Sequence, residues 1–172
     1  MDRAEELYRR FLAGDNAAFE DIVRLYRENL IFFLMRTVDI HTAEDIAEDA
    51  FVELLLHPKR YNFSVSLKTY LFSIARHKAS TYRTKRGRET DIDENSDYGE
   101  PSVESAVADS DEKRRLYEAI ERLPKEKKSA VWLFYFEGQS YAEIARIMGK
   151  KPRQIETLLV SARELLKQYM EN

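Results

Sequence analysis

The chain has 172 residues, 44% of them hydrophobic and 34% charged, which suits one ordinary soluble domain or two small ones. It contains no Cys, which excludes a disulfide framework, a thiolate metal site and a cysteine nucleophile, and His41, His57 and His77 lack the spacing of metal ligands. The net charge of −3 is sorted along the chain: residues 1–86 balance at +1, residues 87–111 at −8 and residues 112–172 at +4. No apolar run approaches the roughly 18 residues of a membrane span, and Met-Asp-Arg-Ala-Glu-Glu at the start does not read as a signal peptide. The expectation is a cytoplasmic protein without membrane insertion or cofactor. Five Gly and four Pro leave little turn material, so the fold class expected is all-α.

Residues 1–86 read as helices throughout. Asp15 can cap a helix whose apolar positions Phe19, Ile22, Val23, Tyr26, Leu30 and Phe33 fall at three- and four-residue steps. Thr42 and Asp45 form a start signal for the next helix, with Ile46, Ala50, Phe51, Leu54 and Leu55 as its apolar face. This helix carries Glu44, Asp45, Glu48, Asp49 and Glu53 with no Lys or Arg among them. Clustered like charge costs a helix stability, which points either to a basic partner surface or to a merely solvated face. Residues 57–66 then form a loop, and Ser66 can cap a last helix bearing Leu67, Tyr70, Leu71, Ile74 and Ala75. From Leu54 to Arg88 there is no acidic residue, while Lys59, Arg60, Arg76, Lys78, Arg83, Lys85 and Arg86 alternate with Tyr61, Phe63, Tyr70 and Phe72. Basic groups bind phosphates and aromatic faces stack on unpaired bases, although some of these rings belong to a core.

Residues 87–111 hold one basic residue against nine acids, with turn formers and no periodicity, and read as a flexible acidic linker. Four helices are expected after it. The first carries Leu116, Ile120 and Leu123. Pro124 starts the second, with Val131, Trp132, Leu133, Tyr135 and Phe136, and Gly138 ends it. Ser140 and Glu143 make a capping box for a short third helix, Gly149 to Pro152 is a turn, and a stripe of Ile155, Leu159, Ala162, Leu166 and Tyr169 marks the last. A short capped helix, a tight glycine turn and a longer amphipathic helix make a helix-turn-helix, whose second helix enters the major groove. Lys150, Lys151, Arg153 and Gln154 cluster at its start, where side chains reach bases and phosphates. An ordinary helical hairpin with a basic corner has the same pattern.

Gly14-Asp15 with Ala18-Phe19, then Ala43-Glu44-Asp45-Ile46 with Phe51, and Leu67-Lys-Thr-Tyr-Leu-Phe-Ser-Ile-Ala-Arg76 with the basic run after it, resemble the first domain of extracytoplasmic-function (ECF) sigma factors of the sigma-70 family. Ala119-Ile-Glu-Arg-Leu-Pro124 and Phe136-Glu-Gly-Gln-Ser-Tyr-Ala-Glu-Ile-Ala145, with Gly149 and Ala162-Arg163, are similar to the second. The resemblance covers both parts in order. It implies two small helical domains (1–86 and 112–172) joined by the acidic linker 87–111, and a role in promoter recognition, DNA melting and transcription initiation without enzymatic activity. Core RNA polymerase and promoter DNA would be the partners, with an anti-sigma factor as a further one.

On this resemblance Asp45, Glu48, Asp49 and Glu53 would dock on the polymerase. Lys59, Arg60, Tyr61, Phe63, Arg76, His77, Lys78, Arg83, Lys85 and Arg86 would engage and open the minus-ten element. Ser140, Tyr141, Lys150, Lys151, Arg153, Gln154 and Thr157 would read the minus-thirty-five element. The chain departs from the usual pattern at Glu48-Asp49, Tyr70, His77 and Thr81, and at Glu156, Leu158 and Ser161 of the last helix. Two other readings stay open: a sigma-like mimic that sequesters an anti-sigma factor, and a stand-alone helix-turn-helix repressor, for which no dimerisation element is evident.

Overall fold

The computed structural model describes residues 2–89 and 110–171, and within them the regular elements are helices. The reading of a flexible linker falls almost wholly on residues outside the described ones. In chain order the N-terminal unit comprises α1 (Arg3–Leu12), α2 (Asn16–Leu34), α3 (Ile40–Leu56), a 3-10 turn (Pro58–Arg60) and α4 (Leu67–Glu89). The C-terminal unit comprises α5 (Asp111–Glu121), α6 (Lys125–Val131), a π-helical turn (Trp132–Phe136), α7 (Tyr141–Met148) and α8 (Pro152–Glu171).

Local chemistry sets most of these boundaries. The Asp2 carboxylate accepts from Ala4 N–H at 2.9 Å to start α1, and Asp15 accepts from Ala18 N–H at 3.3 Å to start α2. Asp15 also takes the Arg10 guanidinium at 2.8 Å, which holds its carboxyl below the ordinary range. The expected start of α3 at Thr42–Asp45 is corrected. The helix begins at Ile40, and the Thr42 hydroxyl instead lies 3.4 Å from the Tyr82 hydroxyl of α4. Tertiary contact, rather than capping, uses that side chain. Ser66 caps α4 through Thr69 N–H at 3.1 Å, and the Ser140–Glu143 capping box at α7 is complete in both directions. Gly149 closes α7 with φ of 66°, a left-handed turn that glycine adopts without strain, and Pro152 opens α8.

One continuous apolar core runs through both units. Tyr8, Ile22, Leu30, Leu34, Leu54, Leu67, Leu71 and Phe72 fill the first, and Leu133, Ile144, Ile155 and Leu159 the second. The periodic stripes of α2, α4 and α8 account for most of them. Four apolar residues of the expected helices lie outside the core. Leu55 is exposed on α3, Leu116 is exposed on α5, and Tyr135 and Phe136 are exposed because the second helix widens into a π turn after Val131. Glu137 N–H reaches back five residues to the Trp132 carbonyl at 3.2 Å, and the wider turn rotates the rings out of register with the helix before them.

The two units pack directly on each other, α4 lying along α7. Polar contacts cross between them beside the shared apolar core. Lys68 Nζ stands 2.8 Å from Glu137 Oε2 and donates to the Glu137 carbonyl at 3.0 Å. The Thr69 hydroxyl donates to Gln139 Oε1 at 2.9 Å and approaches Glu143 Oε2 at 3.2 Å. Arg36, buried at the end of α2, reaches Glu121 and lies 4.0 Å over the Trp132 ring, and Glu121 also takes Lys128 at 3.4 Å.

Candidate nucleic-acid interface

Three surfaces emerge from this packing. On α3, Asp45, Glu48 and Asp49 are exposed and share one face. Val52, Leu55 and Leu56 continue that stripe and are 42%, 45% and 66% exposed, so an acidic half is followed by an apolar half. The sequence pattern placed Leu55 in the core and overlooked Val52 and Leu56. Their exposure became visible only when α4 proved to cover the opposite face. Glu53 belongs elsewhere: it is half-buried, 3.6 Å from Arg60 Nη1 and 3.5 Å from Lys78 Nζ, so it neutralises two residues of the basic set.

The second surface is the loop before α4 and the outer face of α4. Lys59, Arg60, His77, Lys85 and Arg86 are exposed, and Arg76, Lys78 and Arg83 are half-buried. Arg86 donates to the Tyr82 hydroxyl at 2.6 Å. Arg76 and Arg83 line a narrow cleft against Lys125, Glu126, Ser129 and Met148 of the C-terminal unit, and burial pulls the Arg76 guanidinium below its ordinary pKa. Tyr61 must be withdrawn as a stacking residue. Only 4% exposed, it packs 5.1 Å from Tyr8 and 5.0 Å from Tyr70, and its hydroxyl donates to the Val65 carbonyl at 2.6 Å. Burial pushes its pKa, like that of Tyr8, up to about 12, so both phenols stay protonated donors. Tyr8 bonds the Pro58 carbonyl, which anchors the start of the loop.

Phe63 is different. Its φ is +64°, an uncommon conformation for a bulky non-glycine residue and one that stores on the order of 1–3 kcal/mol. The Asn62 side chain accepts from Ser64 N–H at 3.0 Å, and Tyr61 holds Val65, so the loop is pinned on both sides of it. Phe63 is half-buried, with the Arg9 guanidinium 4.0 Å from its ring centre. Sequence alone could not separate the pinning ring from the presented one, because both are aromatic residues in one loop.

The third surface is the helix-turn-helix. Lys151, Arg153, Gln154 and Thr157 are exposed at the start of α8, and Ser140 at the start of α7. Lys150 is half-buried and paired with Glu126 at 3.1 Å. Tyr141 packs against Phe134 at 5.5 Å, and Arg163 donates to the Tyr135 hydroxyl at 2.7 Å while hydrogen-bonding Tyr141, contacts that raise its pKa. Two expected readers have local duties. Gln154 Oε1 accepts from Lys151 N–H at 2.8 Å and so caps α8, while Thr157 donates back to the Arg153 carbonyl at 3.1 Å. With its oxygen engaged, Gln154 cannot form a two-point contact with adenine until the cap is released.

Family models agree with this division. The sigma-70 region 2 model matches residues 22–89, and the sigma-70 region 4 model matches residues 113–166. The chain is 25% identical to the RNA polymerase sigma-H factor of Pseudomonas aeruginosa, covering 99% of this chain and 95% of the relative. It is 26% identical to the ECF RNA polymerase sigma-E factor of Haemophilus influenzae, covering 97% and 95%. The fold is similar to that of the sigma factor RpoE of Bartonella quintana in complex with the anti-sigma factor NepR, with a TM-score of 0.74, 24% identity and coverage of 89% and 96%. It is also similar to CnrH in complex with the cytosolic domain of CnrY, with a TM-score of 0.71, 18% identity and coverage of 99% and 98%. With both regions matched in order and full-length relatives of one kind, the chain belongs to the sigma-70 family of RNA polymerase sigma factors, in its ECF group.

Proposed function

We propose that this sigma factor divides its work among the three surfaces. The acidic and apolar stripe of α3 docks on a basic, partly apolar helical surface of core RNA polymerase. The loop around Phe63 and the basic residues Lys59, Arg60, His77, Lys78, Arg83, Lys85 and Arg86 engage and open the minus-ten element, with Arg76 joining once it is uncovered. The start of α8 reads the minus-thirty-five element through Arg153, with Lys151 and Lys150 holding phosphates and Ser140, Tyr141 and Thr157 flanking them. The domain limits are those of the sequence, residues 1–86 and 112–172, with α4 running three residues past the first limit to Glu89. The chain carries out no catalysis itself; the polymerase does. No described helix is long and apolar enough to cross a membrane, which supports a cytoplasmic role beside the polymerase. Both structural relatives are bound to protein regulators, which supports an anti-sigma factor as a further partner.

The observation that carries this division is the segregation of charge by helix: exposed acids on α3, an α4 beside it without an acidic residue from Leu67 to Arg88, and a basic corner on α8. The test is transcription by purified core polymerase on a library of random promoter fragments. Initiation that requires this chain and selects two upstream elements is the expected result. Binding without initiation would sink the proposal and favour a mimic or a repressor.

A further inference from the structure

We infer that the cleft between α4 and α6 is a binding site for a small molecule carrying a phosphate group, free or esterified, held by Arg76, Arg83, Ser80 and Ser129. The site goes beyond the promoter and polymerase surfaces and stands without them.

Helical spacing builds it. Residues 76, 80 and 83 are four and three apart, so Arg76, Ser80 and Arg83 share one face of α4. Lys125 and Ser129, four apart on α6, line the opposite wall, and Phe33 and Met148 give the cleft an apolar floor. Two guanidiniums thus stand in one half-buried space without a counter-ion. Among the described residues neither Arg76 nor Arg83 makes a hydrogen bond or an ion pair, and neither Ser80 nor Ser129 uses its hydroxyl in one. Ser129 is only 6% exposed, so its hydroxyl has little access to water outside the cleft. Glu126 stands at the rim, but its carboxylate is taken by Lys150 at 3.1 Å.

This arrangement costs free energy while it is empty. Burial, and to a lesser degree the neighbouring Arg83, disfavours the charge on Arg76, against a weaker pull from Glu126. An anion between the two arginines removes both penalties. A guanidinium donates through five N–H groups in a fixed fork, and two forks with two hydroxyls match the tetrahedral oxygens of a phosphate. A phosphate ester carries about −1.5 to −2 charge at neutral pH, which offsets both arginines. The space is about 30 Å³, where one water needs roughly 10–15 Å³. It therefore takes two phosphate oxygens inside and leaves the others, or an ester group, at the mouth. Arg76 and Arg83 also belong to the set assigned to the minus-ten element, so on that reading a bound phosphate withholds two cations from promoter DNA.

The test is calorimetric titration of the isolated full chain with inorganic phosphate, at ionic strength held constant with chloride. Saturable binding at one site per chain is expected. Arg76→Gln and Arg83→Gln should each weaken it roughly tenfold or more, the loss of hydrogen bonds to a charged group. Arg27→Gln, at an exposed arginine of α2 far from the cleft in sequence, should leave it unchanged. Should Arg76→Gln lose helicity by circular dichroism, Arg83→Gln and Ser129→Ala carry the test. A parallel titration with phenyl phosphate separates the sources: binding at least as tight supports an esterified ligand, and its exclusion supports free phosphate. Weak binding at many sites, or affinity unmoved in the folded cleft variants, overturns the site. Because neither DNA nor polymerase is present, failure here is distinct from failure of the promoter assignment.

Discussion

At the scale of single residues, the division of labour in the loop before α4 separates stability from function. Tyr61 is a buried ring with a buried hydrogen bond, so Tyr61→Ala should cost about 3–5 kcal/mol of stability, seen as a lower denaturant midpoint. Phe63→Ala should cost less stability, since the ring is only half-buried and the positive φ is carried by Ala as by Phe. It should instead slow promoter opening, and a template already mismatched across the start region should hide the defect. An equal defect on both templates would mean that Phe63 is a packing residue too. Gln154→Ala should remove the α8 cap and lower the melting temperature by an amount equivalent to about 0.5–2 kcal/mol. Arg153→Ala, with no such duty, should alter upstream sequence preference and leave the melting temperature nearly unchanged; a promoter library and a thermal melt on each variant decide the matter.

At the scale of elements, α3 makes the clearest prediction. Reversing Asp45, Glu48 and Asp49 together to Lys should abolish binding to core polymerase in a chain that still folds, because all three side chains are exposed. Replacing Leu55 and Leu56 by Ser should weaken the same binding and, unlike changes at Ile46 or Leu54, leave stability intact. Full polymerase binding by either folded variant would remove α3 from the interface. The elements themselves were largely legible in the sequence, since caps at Asp15, Ser66 and Ser140, the turn at Gly149 and the stripes of α2 and α8 are local signals. What was not legible has a common physical cause. Thr42 bonds to Tyr82, Tyr61 packs edge to face on Tyr8, and Leu55 is left bare, and each outcome depends on which neighbour arrives from a distant part of the chain. Gln154 was misjudged for the opposite reason: a polar residue three places into a helix is as good a cap as it is a reader.

At the scale of the whole molecule, stability should respond to pH in two stages. Burial raises the Glu137 pKa while Lys68 draws it back down, so the folded chain binds this proton more readily than the unfolded one. The folded state should therefore gain stability as pH falls from neutrality through that raised value to the ordinary carboxylate range, read as a rise in the denaturant midpoint. Burial also pushes Glu143 up, but hydrogen bonds from the Ser140 N–H, the Ser140 hydroxyl and the Thr69 hydroxyl, with Lys68 nearby, outweigh it and leave its pKa lowered. Its contribution is present above the ordinary value and is lost as pH falls through the lowered one. The denaturant midpoint should thus peak in the ordinary carboxylate range, and a monotonic profile would show that one of the two acids plays no part. The polar contacts between the two units also have a consequence for tethering. Two faces joined by a short connection meet at an effective concentration in the millimolar range, so contacts too weak to hold separate molecules together suffice within one chain. Packing of one unit on the other then depends on the length of the connection as well as on the contacts. Doubling residues 90–109 with Gly and Ser should weaken it by about 0.6 kcal/mol, roughly a threefold rise in the ratio of separated to packed units, without touching either face. The length of that segment is thus a dial, separate from every binding residue, by which the strength of that packing can drift while promoter and polymerase contacts stay as they are.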